Sequence, residues 1–205
     1  MKATTEIDPQ LVKKLREKTN AGMMDCKGAL VEAGGDFAKA EAILRTKGIA
    51  SASKKASRAT REGIVASYIH QQGKVGVLVE VNCETDFVAK NENFRAFVKD
   101  ITLHIAAAHP LYVSRADVPG NLIDVECEIY KAQAKGKPEN VVEKIVDGKL
   151  DKFFSTICLL EQGFIKNPDQ TIGDLVKAKI AELGENIVIR RFTRYLMGEP
   201  LPTES

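Results

Sequence analysis

The chain has 205 residues, with 30 basic and 28 acidic side chains and a formal net charge of +2. That balance excludes a strong global field toward nucleic acid or a membrane surface, so neither is an expected direct partner. Hydrophobic residues at 44% and charged residues at 28% match an ordinary globular protein with one sizeable core, or a small module beside a larger one. No run approaches the ~20 apolar residues that span a bilayer. MKATTEIDPQL has no apolar stretch of the signal-peptide kind, so the expected compartment is the cytoplasm.

Residues 1–50 are expected to form a three-helix domain. Asp8 caps the first helix, Pro9 opens it, and Leu11, Val12 and Leu15 share one face. Asn20-Ala21-Gly22 stops it. Met23 to Ala33 forms a second helix, ended by Gly34-Gly35. Asp36 caps a third, in which Phe37, Ala40, Ile43 and Leu44 recur at helical spacing and Gly48 marks the end. Residues 51–62, SASKKASRATRE, hold no large apolar side chain and include Lys54, Lys55, Arg58 and Arg61. They read as a solvated basic linker, with contact to phosphate as the other reading.

Residues 63–118 are expected to hold a core hairpin and a helix. GIVASYIH (63–70) and VGVLVEVNC (75–83) are β-rich and flank Gln71-Gln72-Gly73-Lys74. Val75, Val77, Val79 and Val81 share one face of the second strand; Gly76, Leu78, Glu80 and Asn82 share the other. A lone hairpin is marginally stable, so it needs a cover. Residues 91–109 supply one, with Phe94, Phe97, Val98, Ile101, Ile105 and Ala108 on a single helical stripe. Residues 119–161 read as a helical hairpin. Val118, Leu122, Val125, Ile129 and Ala132 form its outgoing seam, Gly136-Lys137-Pro138 the turn, and Val141, Val142, Ile145 and Val146 the return. A projecting hairpin and two ordinary core helices are both open. In residues 162–198, Asn167-Pro168-Asp169 begins a turn, 171–183 a helix, and 186–196 a closing strand; 199–205 form a tail. The fold class is therefore α+β: an N-terminal three-helix bundle, then a small three-stranded antiparallel sheet covered by helices, with a helical hairpin.

Reactive side chains give little. Cys26, Cys83, Cys127 and Cys158 form no CxxC pair, and each is expected to be reduced and buried. No phosphate loop, dinucleotide fingerprint or metal-ligand cluster occurs, so no cofactor and no metal are expected. His70, His104 and His109 read as surface or core residues. Thr85-Asp86 follows a strand and precedes a helix, so on spacing alone it is an N-cap, with Phe87 and Val88 tucked into the core.

Two stretches go further. Leu15–Leu30 (LREKTNAGMMDCKGAL) and Glu80–Lys90 (EVNCETDFVAK) closely resemble signature segments of the elongation factor Ts family. The resemblance continues through HIAAAHPLYVSRADVP, GKPENVVEKIVDGKLDKFF and GENIVIRRFTRYLMGE, in the family's order and over nearly the whole chain. Gly28 departs from it, at a position where the family more often has a polar or basic residue. The resemblance implies a guanine nucleotide exchange factor that binds elongation factor Tu, GDP-bound and nucleotide-free, during translation elongation. It implies that Thr85, Asp86, Phe87 and Val88 face the GTPase, with Phe87 as a wedge that disturbs the magnesium and phosphate site. It implies an N-terminal unit of the ubiquitin-associated type, docking through Leu15, Arg16, Thr19, Gly22, Met23 and Met24, and an extra contact at His104. From the residues alone, both methionines fit a core gap as well as a contact surface. An exchange factor makes no covalent bond, so it is not an enzyme. Longer family members hold two related half-cores and this chain one, which implies a homodimer. Two other classes compete: a polypeptide-binding adaptor resting on the bundle alone, and an enzyme using Cys83 with a histidine.

Overall fold

A computed structural model describes residues 7–19 and 21–200. The expectation placed on Asn20 and the end of the tail beyond residue 200 lie outside the described residues. The chain divides into two compact units: Met1–Gly63 with Asn82–Phe94 and Val176–Val188, and Ile64–Val81 with Arg95–Leu175 and Ile189–Ser205. The α+β class holds.

The first unit begins with helices α1 (Pro9–Thr19), α2 (Met23–Glu32) and α3 (Phe37–Lys55). Asp8 Oδ1 accepts the Gln10 N–H at 2.8 Å, and Asp36 Oδ1 accepts the Lys39 N–H at 3.0 Å, so both sequence-read caps form. Gly34 and Gly35 take φ of 63° and 86°, and the Gly35 N–H returns to the Leu30 carbonyl, which closes α2. Val12, Leu15, Cys26, Ala29, Leu30, Ala40 and Leu44 form the bundle core.

Gly48 does not end α3. The helix continues to Lys55 and buries Ala52, so residues 51–55 of the expected linker are helical. A glycine within a helix costs only about 1 kcal/mol, and the residues after Gly48 hold no proline and no left-handed turn. Gly48 instead allows a close approach: a Cβ there would lie 3.3 Å from Ala181 Cβ, on helix α8 (Ile172–Leu183).

The second unit carries most of a three-stranded sheet ordered β1 (Glu62–His70), β2 (Val75–Cys83), β5 (Val188–Leu196). The short β1–β2 connection forces those strands antiparallel. The Met197 N–H, just past β5, reaches the Lys74 carbonyl just before β2, so β5 is antiparallel to β2 as well. The four β2 valines are buried, as their alternation requires. Helix α5 (Glu92–Ala108) buries Phe94, Phe97, Val98, Ile101 and Ile105, and Arg194 Nε of β5 donates to its Ala106 carbonyl.

Helices α6 (Gly120–Gln133) and α7 (Glu139–Ile157) form the expected hairpin, but not with the expected seam. Val125 and Ile129 are 56% and 43% exposed. The half-buried face of α6 instead carries Leu122, Ile123, Glu126, Cys127 and Tyr130, with Ala134 buried beyond it. On this face the Tyr130 ring lies under the Lys149 ammonium and its hydroxyl bonds Glu126. At its base, Val118, Phe154, Ile157 and Cys158 form a separate core. Residues 167–169 are a strand rather than a turn: β4 (Asn167–Thr171) pairs antiparallel with β3 (Gly163–Phe164), and the reversal falls at Ile165-Lys166.

Candidate functional site

Strand β2 ends at Cys83, and the chain leaves it through Glu84 into a helix of five residues, α4 (Asp86–Lys90). Thr85 is its N-cap: the backbone is extended (φ −127°, ψ 157°) and Oγ1 accepts the Val88 N–H at 3.4 Å. Asn91 closes α4 and caps α5, its Oδ1 accepting the N–H groups of Asn93 and Phe94. The capping half of the spacing argument is therefore correct. Its other half is not. Ala89 is the buried residue of α4 and Val88 is half-buried, while Phe87 is 81% exposed. Leaving a phenylalanine in water forgoes roughly 1.5–3 kcal/mol of burial free energy. Asp86, beside it, pairs with Lys90 at 2.6 Å, and that hydrogen bond holds its carboxyl below the usual range.

The short helix is held from a distant part of the chain. Glu185 Oε2 accepts the N–H groups of Glu84 and Thr85, both at 3.0 Å, and its Oε1 accepts the Thr85 hydroxyl at 2.6 Å. In return, the Asn186 N–H donates to Glu84 Oε1 at 2.6 Å. The Asn186 side chain, 3% exposed, donates to the carbonyls of Ala56 and Arg58. Nothing in the sequence pairs residues a hundred positions apart, and neither Glu185 nor Asn186 was legible there as a site residue. The only available signal was that GENIVIRRFTRYLMGE belongs to the text resembling the family.

Cys83 is buried and its Sγ donates to the Thr85 carbonyl at 3.2 Å. Burial, and next the Glu185 carboxylate, push its thiol up to about 11, so at neutral pH it is no nucleophile. His104 is fully buried rather than displayed, so it is a core residue with no surface for a partner. Its Nδ1 accepts the Ile165 N–H at 3.3 Å and its Nε2 faces Gln162 Oε1 at 3.0 Å, which requires the neutral Nε2–H tautomer. Burial holds its pKa below the ordinary histidine value.

In the bundle, Leu15 is core and Thr19 is half-buried, its hydroxyl donating to the Leu15 carbonyl at 2.7 Å. Arg16 and Gly22 are exposed, and Met23 and Met24 are 46% and 76% exposed. The two methionines are therefore surface, not core filler. Met23 borders a shallow groove of about 400 Å³ with Ile7, Pro9, Val12, Lys13 and Lys27. Gly28 faces open space, so its departure disturbs no contact. Among the described residues no cluster of histidine, cysteine and carboxylate groups could hold a metal ion, and no helix is long and apolar enough to cross a membrane.

Comparison with known proteins places these features in one family. A family model described as Elongation factor TS matches residues 45–199. A protein of Geobacter sp. (strain M21) named elongation factor Ts is 62% identical over 192 residues, covering 93% of this chain and 89% of its own. Proteins of that name from Carboxydothermus hydrogenoformans and Thermoanaerobacter sp. (strain X514) are 61% and 58% identical. They cover 95% and 97% of this chain, and 91% and 98% of their own lengths.

Proposed function

The chain belongs to the elongation factor Ts family, and from that premise we propose that it is the guanine nucleotide exchange factor of elongation factor Tu. The observation that carries the mechanism is Phe87, an almost fully exposed aromatic on a five-residue helix at the end of the central strand. A rigid ring held on a strand end is suited to enter a packed seam of another protein. Phe87 enters the GTPase beside its nucleotide and disturbs the region that holds the magnesium ion and the phosphates. Thr85 caps the helix beneath it, and Asp86 and Val88 flank the ring.

The energetics fit exchange without covalent chemistry. Nucleotide bound at about nanomolar affinity is held by roughly 12 kcal/mol, part of it through the magnesium ion. Binding of the factor compensates for distortion of that site, and by linkage factor and nucleotide weaken each other equally. A second nucleotide then displaces the factor. No bond is made or broken, so no nucleophile, cofactor or metal is required of this chain.

Two further surfaces support the reading. Met23 and Met24, with the exposed Arg16 and Gly22, give the bundle an adaptable face for the GTPase, while the buried Leu15 and half-buried Thr19 support it. The open face of the sheet carries Val65, Ile69, Leu78 and Tyr195, exposed by 68%, 65%, 47% and 69%. A Cβ on Gly76 would touch Ile69 Cδ1, which places Ile69 across that face. A second copy of this chain covers such a face by two-fold symmetry, giving a homodimer that engages elongation factor Tu.

The test is release of labelled GDP from elongation factor Tu with and without the protein. Acceleration that grows with protein concentration and disappears with Phe87→Ala supports the reading. Unchanged release rules it out.

A further inference from the structure

A five-residue helix does not hold itself, because nucleating one helical turn is unfavourable and so short a segment gains little by propagation. Burial of Ala89 and the Asn91 cap hold the far side of α4, so the direction of the Phe87 ring depends on what anchors its start. There the largest number of hydrogen bonds goes to one carboxylate. Glu185 takes both amides that lead into the helix and the hydroxyl of its capping residue. The Thr85 hydroxyl then acts as a relay: it donates a hydrogen bond to Glu185 Oε1 and accepts one from the Val88 N–H in the first turn of α4. The Glu84 side chain, which accepts the Asn186 N–H and lies 3.5 Å from Arg58 Nη1, locks the same two segments from the other side.

We propose that Glu185 is a positioning residue for nucleotide exchange: its carboxylate fixes Thr85 and so the orientation in which Phe87 is presented. The inference rests on the reading of Phe87 as the wedge. It assigns Glu185 no contact with the GTPase. What matters is the reach of the side chain and an oxygen set against the two amides, more than its charge. Glutamine keeps the length and one oxygen for the two amides, and its NH₂ can donate to a Thr85 hydroxyl that still accepts from Val88. Aspartate keeps the charge but withdraws the acceptors by about 1.5 Å, one carbon–carbon bond.

Glu185→Gln and Glu185→Asp are compared in the full chain, alone and combined with Phe87→Ala. Two quantities are read: amide hydrogen exchange at Glu84 and Thr85 in the free protein, and the maximal GDP-release rate with its half-saturating concentration. Glu185→Asp should raise exchange at both amides and lower the maximal rate, each by about tenfold, the worth of one lost hydrogen bond to a charged group. The half-saturating concentration should move by less than about threefold, because the contacting surface is intact. Glu185→Gln should stay within about threefold of wild type throughout, and in the Phe87→Ala background Glu185→Asp should add less than about twofold.

An aspartate variant that outperforms glutamine, or a loss that persists in full without Phe87, overturns the proposal. If wild-type protein does not accelerate GDP release, the exchange-factor reading fails. Amide exchange then judges the anchor by itself, and unchanged protection in Glu185→Asp overturns it too.

Discussion

Replacing Phe87 by alanine removes a side chain that touches little of its own protein, so folding and function separate cleanly. The ring is 81% exposed, and an exposed substitution changes stability by less than about 0.5 kcal/mol. Burial in a partner is a different matter. At ~25 cal/mol per Å² and about 200 Å² for the residue, covering the exposed four-fifths contributes at most about 4 kcal/mol. Dominant interface residues fall at roughly 2–4 kcal/mol, which is about 30-fold to 1,000-fold in rate. The assay is stopped-flow release of fluorescent GDP from elongation factor Tu over a range of factor concentrations, beside thermal unfolding of the variant. Release slowed within that range at an unchanged unfolding midpoint is the expected result. Asp86→Ala should act in the same direction but more weakly, since its carboxylate is engaged by Lys90 within α4. Release within about threefold of wild type for Phe87→Ala would refute the wedge, and a midpoint lowered by several degrees would refute the exposure argument behind it.

The other predictions follow from burial and charge. His104 is held neutral in the folded state, so its folded pKa lies below that of the unfolded chain, near 6.5. The unfolded chain therefore takes up the proton first: the contribution is complete above about pH 6.5 and is lost as pH falls through and below that value. Urea unfolding from about pH 7.5 down to about pH 5, the range in which histidine changes charge, should show falling stability that His104→Gln flattens. Met24→Glu, at a position 76% exposed, should weaken binding of elongation factor Tu about tenfold or more while circular dichroism and unfolding stay as in wild type. Ile69→Lys, on the open sheet face, should convert a dimer to a monomer by light scattering at micromolar concentration; a wild-type mass equal to one chain and unchanged on dilution rejects the dimer.

Periodicity determined most of the elements. Valines at alternate positions along β2 could bury only one face, and the apolar stripe of α5 could form only on a helix. Asp8, Asp36 and Thr85 announced their caps because a capping oxygen reaches amides two or three residues on, a relation local to the chain. The text around Phe87 pointed to the family, although spacing alone placed that ring in the core. Where two local answers were close in energy, tertiary contacts chose. Gly48 was a plausible stop, yet α3 passes through it toward Ala181. Val125 and Ile129 fit a seam as well as their neighbours did, yet the half-buried face carries Leu122, Ile123, Cys127 and Tyr130. The resemblance offered His104 as a partner contact, and only the fold, with Gln162 and the Ile165 amide around it, put it in the core. The hold of Glu185 on Thr85 lay furthest from the sequence. A hydrogen bond depends on angstroms in space, and residues 85 and 185 become neighbours only after the chain between them has folded.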